Sequence, residues 1–268
     1  MKCLRCGVIY VSPQPSRREL TSHFADYAPK DAEELERRFE KNRMRPLARV
    51  AHYAHRKKSG GLILDVGCGP GIFLARFFAG SQWRSCGVEL SRIAAAKAAE
   101  KKLDVRSGDI HAAAYASATF DFIMVLDAFY YFPEPSVELL EFARILRNDG
   151  VLIVELPSAT SRIWRTSRRL GRWLSGSRDP LLFSSDHLFY YTPKSVSSLL
   201  QRCGFQILDV GQLPGNKQAS LVRDLMFLAY FAFSRVMEFL SGSRILLGPR
   251  FFVAARKMPT VNEPGMKR

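Results

Sequence analysis

The stretch Leu62-Ile-Leu-Asp-Val-Gly-Cys-Gly-Pro-Gly71 constrains this chain more than any other. Its apolar run Leu62–Val66 reads as a strand buried on both faces, and Ile72 to Phe78 reads as the start of a helix. Gly67, Gly69 and Gly71 join the two. Glycine at these alternating positions lets the backbone turn sharply and leaves no β-carbon between the main chain and a ligand. A glycine pattern alone is weak, because surface turns also collect glycine. Here the strand before it and the helix after it predict a binding crevice at the strand's carboxyl end.

Cys86-Gly-Val-Glu-Leu90 reads as a second strand ending in Glu89, where a doubly wound α/β fold puts a carboxylate that accepts hydrogen bonds from a ribose. A third stretch, Leu103–Ile110, ends in Asp109, and a fourth, Phe120–Asp127, ends in Asp127. With Asp65, four successive strand ends carry an acid, so the carboxyl edge of a parallel sheet is expected to be lined with acceptors. Such an edge disfavours a pyrophosphate and suits a cationic nucleoside.

From about Gly60 to Lys257 the chain resembles the class I S-adenosylmethionine-dependent methyltransferases of the bacterial small-molecule type. The resemblance implies a Rossmann-like α/β fold: a seven-stranded, mostly parallel sheet with the last strand antiparallel and helices on both faces. It also implies S-adenosylmethionine as cofactor. Asp65-Val-Gly-Cys-Gly-Pro-Gly71 looks like the cofactor motif, and Glu89 like the acid that holds both ribose hydroxyls. Asp109 is similar to the residue that meets the adenine amine, Ile110 to the one against its ring, and Asp127 stands where the fourth strand opens on the methyl donor. Phe142–Val154 resembles a helix, a turn ending in glycine and a fifth strand, while Gly204–Val210 and Arg250–Arg256 look like the sixth and seventh strands. A nicotinamide-dependent dehydrogenase shares the glycine turn and the acid after the second strand. Against it, Asp65 stands where dinucleotide binders usually carry an apolar residue, and the spacing is G-x-G-x-G rather than G-x-G-x-x-G.

A sulfonium methyl donor is already activated, so holding the acceptor in line can supply most of the rate. A general base is needed only where the acceptor must lose a proton, as a hydroxyl does. Tyr130 and Tyr131 stand where small-molecule relatives often carry Glu-His, so that histidine role does not carry over and Tyr131 remains as an acceptor-side candidate. Ser185-Asp-His-Leu-Phe-Tyr-Tyr-Thr-Pro-Lys194 resembles a segment of methyltransferases acting on sugars and quinone precursors, whose histidine faces the acceptor. His187 is therefore the candidate general base or acceptor-orienting group. The plainer reading is that Asp186 or His187 caps the adjoining structure, ahead of a helix over Ser195–Arg202. The implied acceptor is a small molecule, a saccharide or a lipid-linked group, methylated at oxygen. An RNA methyltransferase and a non-catalytic S-adenosylmethionine-binding protein are the alternatives. The nucleic-acid reading rests on charge alone, since the fourth strand ends in Leu-Asp-Ala-Phe-Tyr-Tyr and no Pro-Cys pair offers a nucleophilic thiol.

At 268 residues and 47% hydrophobic content, one decorated domain is expected. Residues 1–59 read as a leader with a helical cap, 60–257 as the catalytic domain with insertions at about 157–191 and 211–248, and 258–268 as a tail. Within the cap, Pro46 is expected to split Asp31–Lys58 into two helices, and His23 or Tyr27 to close over the donor. Cys3-Leu-Arg-Cys6 has the spacing of half a zinc ribbon and resembles the end of a zinc-binding leader found before some bacterial methyltransferases. The other ligand pair is missing, so no metal site is expected within the chain. Five scattered cysteines suggest reduced thiols, and no apolar run is long enough for a membrane span or a secretory signal, so a cytoplasmic body is expected.

Forty basic residues against twenty-five acidic give a net charge of +15, which favours an anionic partner. Arg162–Arg178, with Trp164 and Trp173 interleaved, suits either lipid headgroups or RNA. Leu221–Leu240 is apolar except for a narrow stripe holding Asp224, Arg235 and Glu238. Such a helix can lie in a membrane interface, cover an apolar acceptor, pair with a second copy, or pack on the protein's own core. The two segments together predict peripheral binding to an anionic membrane, at the inner face of the cell membrane; oligomeric state stays open.

Overall fold

In a computed structural model, which describes residues 1–25, 32–159, 187–215, 221–242 and 246–258, the glycine turn lies at the centre of a seven-stranded sheet. Five parallel strands come first: β2 (Gly61–Val66), β3 (Trp83–Glu89), β4 (Asp104–Ser107), β5 (Phe120–Leu126) and β6 (Leu146–Pro157). With β8 (Phe205–Leu213) and β9 (Arg250–Lys257) the spatial order is β4-β3-β2-β5-β6-β9-β8, and β9 is antiparallel to both of its neighbours. The order reverses between β2 and β5, which puts a crevice beyond their carboxyl ends. A two-stranded ribbon, β1 (Ile9–Tyr10) with β7 (Phe189–Tyr190), ties the leader to the segment after the fifth parallel strand.

Side chains alternate between two apolar layers, as the period of a strand requires. Leu64, Ile123, Val125, Leu152 and Val154 enter one layer with Phe142, while Ile63, Phe122, Met124 and Ile153 enter the other with Phe73 and Trp83. The helices on the sheet are α3 (Ile72–Phe77), α4 (Arg92–Glu100), α5 (Pro135–Ile145) and α6 (Pro193–Arg202), the last begun by a capping box from Thr192 and Ser195. The leader supplies α1 (Arg17–Ala25) and α2 (Ala32–Lys57).

Three expectations need correction. Pro46 does not divide α2, which runs unbroken from Ala32 to Lys57. A proline inside a helix costs about 3 kcal/mol. The next turns bury Leu47, Val50, Ala51 and Ala54 in the core, and each fully buried Leu or Val is worth about 1.5–3 kcal/mol, enough to hold the helix through the proline. The turn expected to end at Gly150 is instead part of β6, which begins at Leu146. Its pairing with β5 jumps from Phe120↔Leu146 to Phe122↔Val151, a bulge at which a β-carbon on Gly150 would meet the Phe120 carbonyl at 2.9 Å. Finally, β8 runs on to Leu213, three residues past the expected end of the sixth strand.

The Arg162–Arg178 cluster, Tyr27, Asp186 and most of the tail lie outside the described residues. Cys3 and Cys6 flank a tight turn closed by Gly7 N–H to Cys3 C=O at 2.9 Å, and no third metal-ligating group joins them among the described residues.

Candidate functional site

A cavity of about 320 Å³ opens where β2, β3, β4 and β5 end. The glycine turn forms its floor, and each glycine has a separate job. Gly67 (φ 77°) lines the cavity, and a β-carbon there would meet Ala128 at 2.8 Å. Gly69 (φ 54°) also lines it, with nothing within 4 Å of where a β-carbon would stand, so its backbone faces open space. Gly71 (φ 73°) does not line the cavity. It caps α3, and a side chain there would strike Leu103 at 2.4 Å and Ala98 at 3.0 Å, so it serves to seat the turn against α4.

Glu89 follows β3 into the cavity wall. Gly69 N–H donates to one carboxylate oxygen and Ser91 N–H to the other, each at 2.8 Å, which fixes both oxygens and ties the acid to the glycine turn. Among the described residues Glu89 has no cationic partner. Burial raises its pKa, and these backbone donors offset that rise only in part. A carboxylate fixed by backbone and still carrying unused lone pairs can accept two hydroxyl hydrogens from a vicinal diol. Asp109 and Ile110 stand on the neighbouring wall; Asp109 accepts from Ala112 N–H at 2.7 Å, and Ile110 presents a nearly buried apolar surface.

Asp65 departs from the expected row of acids on the edge. It does not line the cavity, is 2% exposed, and its Oδ1 has no hydrogen-bond partner among the described residues. Burial first, then the nearby charge of Glu89, pushes its pKa to about 8, so it is mostly protonated at neutral pH. The acceptor-lined edge is therefore made by Glu89, Asp109 and Asp127.

Asp127 lines the cavity but is neutralised. Arg250 donates to its Oδ1 at 2.5 Å, Arg43 lies 3.4 Å from its Oδ2, and the Tyr130 hydroxyl donates to the carboxylate. The same two arginines grip Glu155, at 2.9 Å from Arg43 and 2.5 Å from Arg250. Both arginines and Glu155 are less than 10% exposed. This quartet, two plus and two minus with only Asp127 open to the cavity, fastens α2 to the ends of β5, β6 and β9. The arginines hold the Asp127 carboxyl well below the usual carboxylate range, and Asp127 adopts a left-handed backbone (φ 60°), a conformation kept only where the surroundings over-determine it. The sequence held a signal for this: Glu155 interrupts the apolar run Val151–Leu156, and an acid in a buried strand needs a partner.

Helix α1 covers the cavity with Leu20, Thr21, Phe24 and His23, the last on the wall as the sequence led one to expect and the others unforeseen. Arg17 at its start donates to Glu138 at 2.7 Å and lies 3.7 Å from Asp109, while Phe24 packs edge-on against Tyr131 at 4.9 Å. The signal was Ser16-Arg-Arg-Glu19, a capping box in which Ser16 N–H donates to Glu19 at 2.7 Å and Glu19 N–H to the Ser16 hydroxyl.

On the acceptor side, Tyr131 lines the cavity beside Phe132 and Pro133. His187 does not line it. Its ring stacks on Tyr130 with centroids 3.6 Å apart and meets Tyr131 edge-on at 5.7 Å, one ring behind the cavity wall. Burial and Asp127 raise the Tyr130 pKa well above its ordinary value, so Tyr130 is a donor to Asp127 and no base.

A family model described as "Methyltransferase domain" matches residues 32–210, spanning the glycine turn, the acids at the strand ends and the His187 segment. A curated relative, "Probable methyltransferase ltbC" of Aspergillus luteorubrus, is 28% identical over 166 residues, which is 55% of this chain. The match spans 58% of that relative's length. Among solved structures, a SAM-dependent methyltransferase from Archaeoglobus fulgidus superposes with a TM-score of 0.57 at 19% identity, covering 85% of this chain and all of the other. A Burkholderia thailandensis 1,6-didemethyltoxoflavin-N1-methyltransferase, solved with bound S-adenosylhomocysteine, gives 0.55 at 15% identity over 96% of this chain and 97% of the other. At these identities the likeness is one of fold.

Proposed function

The chain belongs to the methyltransferase-domain family, and from that premise we propose that it transfers the methyl group of S-adenosylmethionine to an oxygen of a small-molecule, saccharide or lipid-linked acceptor. The observation that carries this reading is Glu89: a carboxylate held by Gly69 and Ser91, free of any cation among the described residues, facing a cavity floored by open glycine backbone.

The residues fit that cofactor. Glu89 accepts from the ribose hydroxyls, Ile110 meets the adenine ring, Asp109 its amine, and the open face at Gly69 admits close approach of the ligand to the main chain. The acids on the cavity wall favour a cationic ligand over a pyrophosphate. When bound, S-adenosylmethionine supplies a methyl group already activated by its sulfonium centre.

The chain's own contribution is orientation and exclusion of water. Helix α1 lies over the cavity, and the aromatic wall of Phe24, Tyr131 and Phe132 suits a flat or apolar acceptor. Because Asp127 is neutralised by Arg43 and Arg250, its position rather than its charge shapes the acceptor end. His187 stands behind Tyr131 and outside the cavity wall, so it orients an acceptor hydroxyl through the position of Tyr131 rather than by touching it.

Incubation with methyl-labelled S-adenosylmethionine and lipid, saccharide and RNA extracts, followed by fractionation of the label, tests the acceptor class. Label in the lipid or saccharide fraction supports the reading, and label in RNA contradicts it. With the acceptor in hand, His187→Ala should lower turnover with cofactor affinity unchanged, because Tyr131 loses the ring packed behind it. Unchanged turnover would reduce His187 to a packing residue on Tyr130.

A further inference from the structure

The helix over Leu221–Leu240, here α7, is built inside out. Its narrow polar stripe faces the protein: Asp224 is 5% exposed, Ser234 0% and Glu238 7%. Each finds a partner there. Arg45 grips Asp224 with both guanidinium nitrogens at 2.8 and 2.7 Å, and the Gln212 amide donates to Glu238 at 2.8 Å and to the Ser234 carbonyl at 2.6 Å. The opposite face is apolar and bare. Val222, Met226, Phe233, Val236, Phe239 and Leu240 recur at helical spacing and are 54–85% exposed.

Ordinary surface helices do the reverse, burying the apolar stripe and wetting the polar one. A chain that buries two acids with dedicated partners while leaving Phe239 85% exposed has an outer surface suited to something other than water. What covers it is indicated by charge. Both acids of α7 are turned inward, so its outer face carries none. Beside it runs the second half of α2, which from Lys41 to Lys57 contains no acid. Arg45, Arg49, His52 and Arg56 recur there at helical spacing, with Arg45 on Asp224 and the Arg49 guanidinium 5.0 Å over the Phe231 ring. The whole chain carries +15. Pairing with a second copy would bring two such cationic bodies together, whereas an anionic bilayer gains from the basic row and the apolar face at once.

We propose that α7 docks in the plane of an anionic lipid surface, its apolar face within the headgroup boundary and the exposed Arg49 and Arg56 of α2 against the phosphates. No helix among the described residues is long and apolar enough to cross a membrane, and a helix of 20 residues, about 30 Å long, lying flat needs no crossing.

Vesicle flotation of the full chain tests this. With phosphatidylglycerol/phosphatidylcholine vesicles at low salt the protein floats, and with pure phosphatidylcholine it does so at least tenfold less. Raising salt weakens binding only in part, because the apolar contribution is insensitive to it. Met226→Ser with Phe239→Ser, both exposed and so harmless to folding, lowers partitioning about tenfold or more; Arg56→Gln lowers it about fivefold. Equal thermal melting of variants and parent shows that the fold is kept. The proposal is overturned if the parent stays at the bottom of the gradient, if neutral and anionic vesicles bind it equally, or if sedimentation shows a dimer that Phe239→Ser dissociates.

Discussion

Glu89 ends β3 and Asp127 follows β5, on either side of β2 along one sheet edge, and both face the same cavity, yet they are wired in opposite ways. Glu89 is held by two backbone N–H groups and keeps lone pairs for a ligand. Asp127 is held by two arginines and a tyrosine hydroxyl and has little left to offer. An acid that must bind a neutral diol is best fixed by neutral donors, since a salt bridge would compete for the same lone pairs. An acid that must hold a strand end and a helix in register is best locked by charge. The carboxyl edge thus divides into a donor half that binds and a second half that positions.

The positioning half should break hardest. Removing one member of a buried ion pair leaves an uncompensated charge and costs about 3–5 kcal/mol. Glu155→Ala and Arg250→Ala are each expected to destabilise by that order in urea unfolding, with the double variant losing much less than the sum. Full additivity would mean that the quartet is not coupled.

Asp65 comes next. Its folded pKa of about 8 lies above the ordinary 3.8, so between those values the folded chain keeps a proton that the unfolded chain gives up. Its contribution to stability is therefore highest below pH 4, falls through the window from 4 to 8 and is flat above. The difference in stability between Asp65→Asn and the parent should grow in favour of the variant across that window, by an amount on the order of a few kcal/mol. A difference independent of pH would show that Asp65 is ionised in the folded chain.

Glu89→Ala should weaken cofactor binding, and it should also cost some stability because Gly69 N–H and Ser91 N–H lose their acceptor. Each charge-assisted hydrogen bond lost is worth about 1.5–3 kcal/mol, or roughly tenfold to a hundredfold in affinity. The smallest effect is expected at the lid. Phe24→Ala removes the edge-on contact with Tyr131, and aromatic pairs of this kind are worth about 0.5–1.5 kcal/mol, so affinity should fall about two- to tenfold. A larger loss at Phe24 than at Glu89 would reverse the division of the edge.

The strands and the glycine turn were legible because they rest on local rules: period-two apolarity, a strand end and a residue without a β-carbon. Glu89, Asp109, Ile110, Gly67 and Gly69 all reach the cavity wall. Asp65 and Gly71 share the motif with them but serve the layer beneath, because alternation along β2 turns Asp65 away and the start of α3 turns Gly71 toward α4. What stayed hidden depended on contacts far apart in sequence. Arg43 meets Glu155 across 112 positions, and Arg45 meets Asp224 across 179, so neither pairing has a local signature. Pro46 misled for the same reason: a local breaking rule met a helix held from outside by the core. For α7 the stripe of polar residues was visible, but the direction it faces is set by Gln212 and Arg45.

Isothermal titration of the full chain with S-adenosylmethionine, S-adenosylhomocysteine and NAD, repeated on Glu89→Ala, tests most directly whether the edge binds a sulfur nucleoside through this acid. Saturable one-site binding of both sulfur nucleosides is expected, with none of NAD at the same concentrations and a loss of roughly tenfold or more in the variant. Binding of NAD in preference, or sulfur-nucleoside binding that Glu89→Ala leaves unchanged, would contradict it.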